Sequence, residues 1–383
     1  MKKIKKMMGI FAALFMAFAV LSCANSSSGD DNKKKDDKPV VEKDPVKIEL
    51  SDLASEFEGT YYLKFTGDYG LNDLIAANLT NDQTLTEYLV DAIPKWLGNT
   101  DNKVDVLINV TGAGCCSIAA ENAGEEGGQI YGRNFDYDND HAVIVHTKPA
   151  EGKGYESIST SYTRFFTGYT KNWTPTGDQV HDAALLGAIY VPLDGMNEKG
   201  LYVSVLDAGD KERTEQGDLS KNNVLTTVAV RYLLDKADSV EKAIKLLDGV
   251  NMYNVYNTAY HFAIADNTGK SVVVEYLNNE MKVEDAKVVT NHYLVANSGK
   301  PAPAANDSSI LRFNTATEAG EKANWKMTAK QMKDTLKAAS AKQYNTSPDS
   351  THMTVWSAVY EPNAKKITYY FREDFSKYVE VTF

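Results

Sequence analysis

Cysteine is scarce in this chain. Three in 383 residues cannot build a disulfide framework. Two of them, Cys115 and Cys116, are sequence neighbours, and the single peptide between them makes a structural disulfide a strained choice. No His or Cys stands near them at zinc-like spacing, so neither a metal site nor a cofactor is expected. Basic charge is also short. Lys and Arg number 41 against 52 Asp and Glu, for a net charge of −11, which disfavours a phosphate-binding footprint and argues against nucleic acid as a partner. The long apolar run from Met7 to Leu21 is too short and too one-sidedly flanked for a stable membrane span. No internal repeat is evident. What is present is 43% hydrophobic content, enough for a substantial core.

The amino terminus reads as an address. Lys2, Lys3, Lys5 and Lys6 precede the apolar run, which ends in Val-Leu-Ser-Cys and resembles a bacterial lipobox. Residues 1–22 would be the signal peptide and Cys23 the lipidated first residue. An ordinary cleaved signal peptide is the alternative. From 23 to 47 the chain is polar and charged, with Ser26 to Pro45 too poor in apolar residues to supply a core, as in a disordered stalk. The expectation is an exported protein of the bacterial cell envelope, lipid-anchored through Cys23.

Residues 48–114 look like a compact leading segment. Leu85, Tyr88, Leu89, Ala92 and Ile93 have helical spacing behind the possible caps Asn81 and Asp82, and Pro94 should end or kink that helix. Val104 to Val110 alternates as a strand would. Ile118 and the Gly-rich stretch 122–129 suggest a hairpin returning along Ile130 to Phe135, which puts the cysteines at the start of a strand. Leu186 to Leu193 and Gly200 to Leu206 read as strands around the turn Asp-Gly-Met-Asn-Glu-Lys-Gly, with Asn197 and Glu198 as turn residues. Helices are expected over 226–237 and 240–247, the second capped by Ser239 and stopped by Gly249. His261–Ala265 and Ser271–Tyr276 should pair across Asp-Asn-Thr-Gly. A helix over 328–339 and strands over 355–360 and 366–372 complete an α+β alternation.

Five segments in order carry a family resemblance: Gly114-Cys115-Cys116-Ser117-Ile118, Gly132-Arg133-Asn134-Phe135-Asp136, Gly195 to Leu201, Val289-Thr290-Asn291, and Ser308 to Phe313. Together they resemble the choloylglycine hydrolase and penicillin V acylase family, linear amide hydrolases with an N-terminal nucleophile. The resemblance implies a four-layer αββα sandwich over 115–383. It also implies self-cleavage before Cys115, with 48–114 kept as a small subunit in a heterodimer.

The residue types suit that chemistry. Amide hydrolysis needs a nucleophile, a proton shuttle and oxyanion donors. A cysteine at a chain terminus supplies a thiolate and an α-amine of pKa about 7.7–8.0. The small residues Gly112, Ala113 and Gly114 leave room for the backbone to be cut. By the family pattern Cys115 is the nucleophile and Cys116 a buried neighbour on the opposite strand face. A one-residue slip would exchange them, and two inert core thiols are the bland reading.

The resemblance further implies that Arg133 lowers the thiol pKa and helps bind the reacting group, and that Asp136 orients the α-ammonium. Asn291 would donate to the oxyanion, with Arg312 behind it or on an acidic group. Arg133 and Asp136 have opposite strand parity, so their strand should bulge or end between them. Asp207 stands where bile-salt enzymes tend to carry Asn and penicillin acylases Tyr. Its ionised side chain cannot donate, which leaves only its backbone N–H as an oxyanion candidate. The expected substrate is a small N-acyl amide. An acyltransferase of the same fold, or a non-catalytic surface lipoprotein that binds amphipathic amides, is the alternative.

Overall fold

The computed structural model describes residues 46–98, 103–110, 114–209, 213–254, 258–295 and 303–383. Cys23 and nearly all of the expected stalk lie outside them, as do Gly112 and Ala113. The first strand begins at Lys47, the last position assigned to the stalk.

Two large sheets dominate the described residues. The first has nine strands in the order Lys47–Asp52, Thr60–Thr66, Ala142–Lys148, Ser157–Tyr162, Asp194–Asn197, Tyr202–Asp207, Tyr260–Ala265, Ser271–Leu277 and Glu280–Asp285. All pairs are antiparallel except Thr60–Thr66 with Ala142–Lys148. The leading segment is therefore the edge of this sheet. The second sheet runs Val288–Val289, Gly114–Asn122, Gln129–Asp138, Ser350–Glu361, Lys366–Phe371 and Val379–Thr382. Two short strands, Lys326–Met327 and Tyr344–Ser347, join it at Gly114–Asn122 and Ser350–Glu361.

The inner faces meet through large side chains. Phe135 stacks on Trp356 and approaches Tyr162 of the first sheet, while Thr160 donates to the Tyr369 hydroxyl across the gap. Helices Thr226–Lys236 and Val240–Asp248 cover the outer face of the first sheet, and Ser308–Lys322 and Ala329–Ala338 that of the second. The result is the four-layer αββα sandwich. Period-two alternation divides the core accordingly: Cys115, Tyr131 and Phe135 join the inter-sheet cluster, whereas Cys116, Ile118, Ala120 and Ile130 pack under the helices with Met332 and Leu336.

Several expected elements form. Helix Asp82–Trp96 carries an Asn81–Thr84 capping box, buries Leu85, Leu89, Ala92 and Ile93, and ends two residues after Pro94. The Tyr260–Ala265 and Ser271–Leu277 hairpin forms as well. Other expectations need correction. Residues 104–110 make only a bridge between Leu107 and Thr167, because their backbone bonds are divided among residues 165–168, Val180 and the side chains of Thr86 and Asp82. Ala183–Ile189 is a 3-10 helix, a short apolar run that periodicity does not distinguish from a strand. Asp194–Asn197, expected as part of a turn, is a buried strand. Helix Ser308–Lys322 carries few apolar positions and so gives little periodic signal; Asp307 caps it.

A short internal repeat emerges in three dimensions. Gly132-Arg133-Asn134 and Gly195-Met196-Asn197 lie one in each sheet, each beneath a helix. A Cβ on Gly132 would stand 2.5 Å from Met332 Sδ, and one on Gly195 2.8 Å from Leu234 Cδ1. The asparagines tie down the helix ends. Asn134 Nδ2 donates to the carbonyls of Leu336 (2.8 Å) and Ala339 (3.2 Å), and Asn197 Nδ2 to those of Leu234 (2.8 Å) and Ala237 (2.7 Å). Both asparagines are buried, so truncation strands backbone carbonyls without water. Asn134→Ala and Asn197→Ala should each destabilise the fold by about 1–3 kcal/mol, read as a lower urea midpoint at unchanged slope.

Candidate active site

Cys115 is the second residue of strand Gly114–Asn122 and points between the sheets. Arg133, on the neighbouring strand, donates through Nη2 to Cys115 Sγ (2.9 Å) and to the Val205 carbonyl (2.9 Å). Its Nε faces Asp194 Oδ2 at 3.3 Å across the gap. Trp356 Nε1 (3.0 Å) and the Tyr360 hydroxyl (2.5 Å) also donate to Asp194. Arg133 and Asp194 are wholly buried. Burial pushes the Cys115 thiol up to about 12, although Arg133 pulls the other way. Arg133 thus lowers the thiol as expected, but desolvation outweighs one guanidinium and the net shift is upward. Burial likewise raises the Asp194 carboxyl, opposed by Arg133 and the Tyr360 and Trp356 donors.

The backbone of Cys115 is held separately. Asn291 Oδ1 accepts from Cys115 N (2.8 Å) and from Arg312 Nη2 (2.7 Å), while Asn291 Nδ2 donates to the Asp207 carbonyl (2.7 Å). Arg312 Nη1 donates to the Cys115 carbonyl and lies 3.1 Å from Asp136 Oδ2. Thr354 donates to Asp136 Oδ1 at 2.6 Å. Asn291 thus turns its oxygen, not its NH2 group, to Cys115. The Asp207 side chain accepts from Gly209 N (2.6 Å), and burial pushes its carboxyl up.

The strand carrying Arg133 and Asp136 neither bulges nor ends between them. Its register with the Cys115 strand is continuous, Gly114 opposite Asp136 through Ser117 opposite Arg133. The bulge lies in the other neighbour, where Val355 is the extra residue between Thr354 and Trp356. Opposite parity is instead resolved by division of labour. Arg133 reaches the sulfur on the inner face, and Asp136 meets Arg312 on the helix side. Gly114 allows this closeness, since a Cβ there would stand 3.0 Å from Asp136 Cβ.

Beside the thiol opens a pocket of about 420 Å³, mouth included, with Phe135, Phe165, Val191, Leu193 and Val205 among its apolar walls and Asp207 at its edge. The leading segment contributes Val110 to the lining. Asp82 holds it, accepting from Val110 N (3.0 Å) and from the Thr227 hydroxyl (3.0 Å), so Asp82 is a buried tie between segments and Asn81 the cap. Sequence reasoning missed Asp82 in this role, and Asp194 and Thr354 entirely. The one available signal for Asp194 was a carboxylate inside a mostly apolar stretch.

Layers and site together define the N-terminal nucleophile hydrolase class of fold. The family model of acyl-coenzyme A:6-aminopenicillanic acid acyl-transferase matches residues 185–375. The bile salt hydrolase/transferase of Clostridium perfringens is 26% identical over 186 residues, 45% of this chain and 51% of that protein. The penicillin V acylase of Pectobacterium atrosepticum is 26% identical over 141 residues, 34% and 37% of the two chains. The chain thus spans about half or less of the length of these relatives. Among solved structures, a conjugated bile acid hydrolase from Clostridium perfringens has a TM-score of 0.49 at 16% identity, covering 70% of this chain and 92% of its own. A penicillin V acylase from Agrobacterium tumefaciens has a TM-score of 0.44 at 17% identity, covering 67% and 83%. These matches all fit the choloylglycine hydrolase and penicillin V acylase family.

Burial also raises Cys116 from 9.0 to about 12. The folded chain then holds this proton more tightly than the unfolded chain, so the stability due to the neutral thiol is whole below pH 9 and is lost as pH rises toward 12. The difference in urea midpoint between wild type and Cys116→Ala should be constant up to pH 9 and shift against the wild type above it.

Proposed function

We propose that this protein is an exported amidase that hydrolyses the linear C–N bond of an N-acyl amine or amino acid through Cys115, after self-cleavage of the Gly114–Cys115 peptide. One observation carries the reading. Three side chains from three separate stretches of the chain hold the sulfur, the nitrogen and the carbonyl oxygen of a single residue beside an apolar pocket.

In self-cleavage the thiol sulfur adds to the Gly114 carbonyl carbon and the C–N bond breaks. The freed nitrogen takes the thiol proton and becomes the α-amine, and water hydrolyses the thioester to a Gly114 carboxylate. In turnover the amine removes the thiol proton, the thiolate forms an acyl-enzyme as the C–N bond breaks, the proton passes to the departing amine, and water then hydrolyses the thioester to release the acid and restore the thiol. Arg133 and Arg312 nearby disfavour an ammonium form, which keeps the amine available as a base near neutral pH. Asn291 Oδ1 already accepts from this nitrogen, and Asp136 is assigned as the acceptor that orients its ammonium form. For Asn291 to serve the oxyanion, its Nδ2 must exchange the Asp207 carbonyl for the substrate; the Asp207 backbone N–H is the second candidate donor.

The apolar pocket suits an acyl chain more than a charged group. Bile salts and penicillin V, named for the relatives, are the first substrates to try. Acyl transfer to a second amine is an alternative fate of the same thioester, favoured by the acyltransferase family match. With lipid on Cys23, the fragment 23–114 would anchor the catalytic fragment through its two sheet strands and the buried stripe of helix Asp82–Trp96.

Intact mass tests the reading directly. Wild type and Cys116→Ala should give two fragments in equal amounts that separate only under denaturing conditions, whereas Cys115→Ala should stay whole and release no amine from any amide. The opposite behaviour of the two variants would move the nucleophile to Cys116. A single uncut wild-type chain without amidase activity would favour the binding-protein alternative.

A further inference from the structure

Outside the residues already described, the first sheet holds a wholly buried acid–imidazole pair. His261 and Glu275 lie on the adjacent strands Tyr260–Ala265 and Ser271–Leu277, both with no exposed surface. His261 Nδ1 is 3.0 Å from Glu275 Oε1, and His261 Nε2 is 2.7 Å from the Thr290 carbonyl. Both ring nitrogens therefore have an oxygen within hydrogen-bond distance. Glu275 accepts two further bonds, from Leu294 N on Oε1 and Val295 N on Oε2, each at 2.9 Å. Two buried side chains of the first sheet thus grip the segment 290–295 at both ends.

That segment leads out of the other sheet. Val288–Val289 pairs with Ile118 and Ser117 of the Cys115 strand, and the chain then crosses toward the first sheet. Asn291 follows Thr290 directly, with its N–H on Ser309 Oγ (2.7 Å) and its side-chain oxygen on Cys115 N. The grip on Thr290, Leu294 and Val295 therefore determines how far Asn291 stands from the nucleophile. We propose that His261 and Glu275 are positioning residues that hold Asn291 in register with Cys115, for self-cleavage and for turnover alike. The inference rests on the amidase reading. Its physical basis is that two backbone N–H groups and one carbonyl lose buried partners when the pair is broken, and a shift of about 1 Å in a reacting group costs up to about 10²-fold in rate.

The test is a double-mutant cycle in the full chain, combining Glu275→Gln or His261→Gln with Asn291→Ala. Fragment formation is followed by intact mass, and kcat and KM are measured on penicillin V and a bile salt amide, alongside the melting temperature. The glutamine at 275 keeps the volume but turns an N–H group toward a donor. Each single variant should slow fragment formation and lower kcat by roughly ten- to a hundredfold while KM stays within about twofold, because the apolar pocket is untouched. Each double variant should be no slower than Asn291→Ala alone, since both changes act on one group. Unchanged kcat, or losses that multiply in the double variants, overturns the inference even where the melting temperature falls. Should Glu275→Gln fail to fold, the His261→Gln arm decides alone, with the same expected result and the same result overturning the inference. A wild type that neither cuts itself nor releases amine overturns the amidase reading and this inference with it; an active wild type with a failed cycle overturns the inference alone.

Discussion

Arg133 is the contact on which the site depends. Its guanidinium lies between the two sheets, wholly buried, with a thiol, a backbone carbonyl and a carboxylate around it. A charge in that setting is tolerated only because Asp194 compensates it, and removing one member of such a pair typically costs about 3–5 kcal/mol. Asp194 in turn takes donors from Trp356 and Tyr360 of the opposite sheet. The sheets are thus clamped at the point where Cys115 sits, and one side chain both holds the thiol and pairs the sheets.

The remaining contacts divide Cys115 into parts. Its sulfur belongs to the inter-sheet core, its nitrogen to the Asn291 segment, and its carbonyl to Arg312 on the covering helix. Each support comes from a different layer or edge, so the residue is held with little freedom. The leading segment takes part as well, because Val110 lines the pocket and Asp82 ties it to Thr227.

Much of the architecture is legible in the sequence where local chemistry is strong. The Asn81–Thr84 cap, the amphipathic stripe behind it and the Asp-Asn-Thr-Gly hairpin turn are all short-range signals. Weak local signals mislead. Ala183–Ile189 is apolar throughout, so it has no period to read, and helix Ser308–Lys322 has too few apolar positions to announce itself. The Gly-X-Asn repeat is hidden in the sequence because three residues are too few to stand out as a period. It becomes visible only when each asparagine is found beneath a helix end.

The sequence by itself determined the inventory: which residue types were on hand for amide chemistry, and, through strand alternation, that Cys115 and Cys116 face opposite ways. Parity puts Arg133 and Asp136 on opposite faces, and the bulge or break expected between them does not form. How they nonetheless serve one residue was decided by tertiary structure, because Arg312, 176 residues beyond Asp136 in the chain (312 − 136 = 176), supplies the link from the helix side. Whether Arg133 lowers the thiol pKa was decided there too. A guanidinium alone would lower it, but complete burial desolvates the thiolate by more, and burial depends on every layer packed around the site.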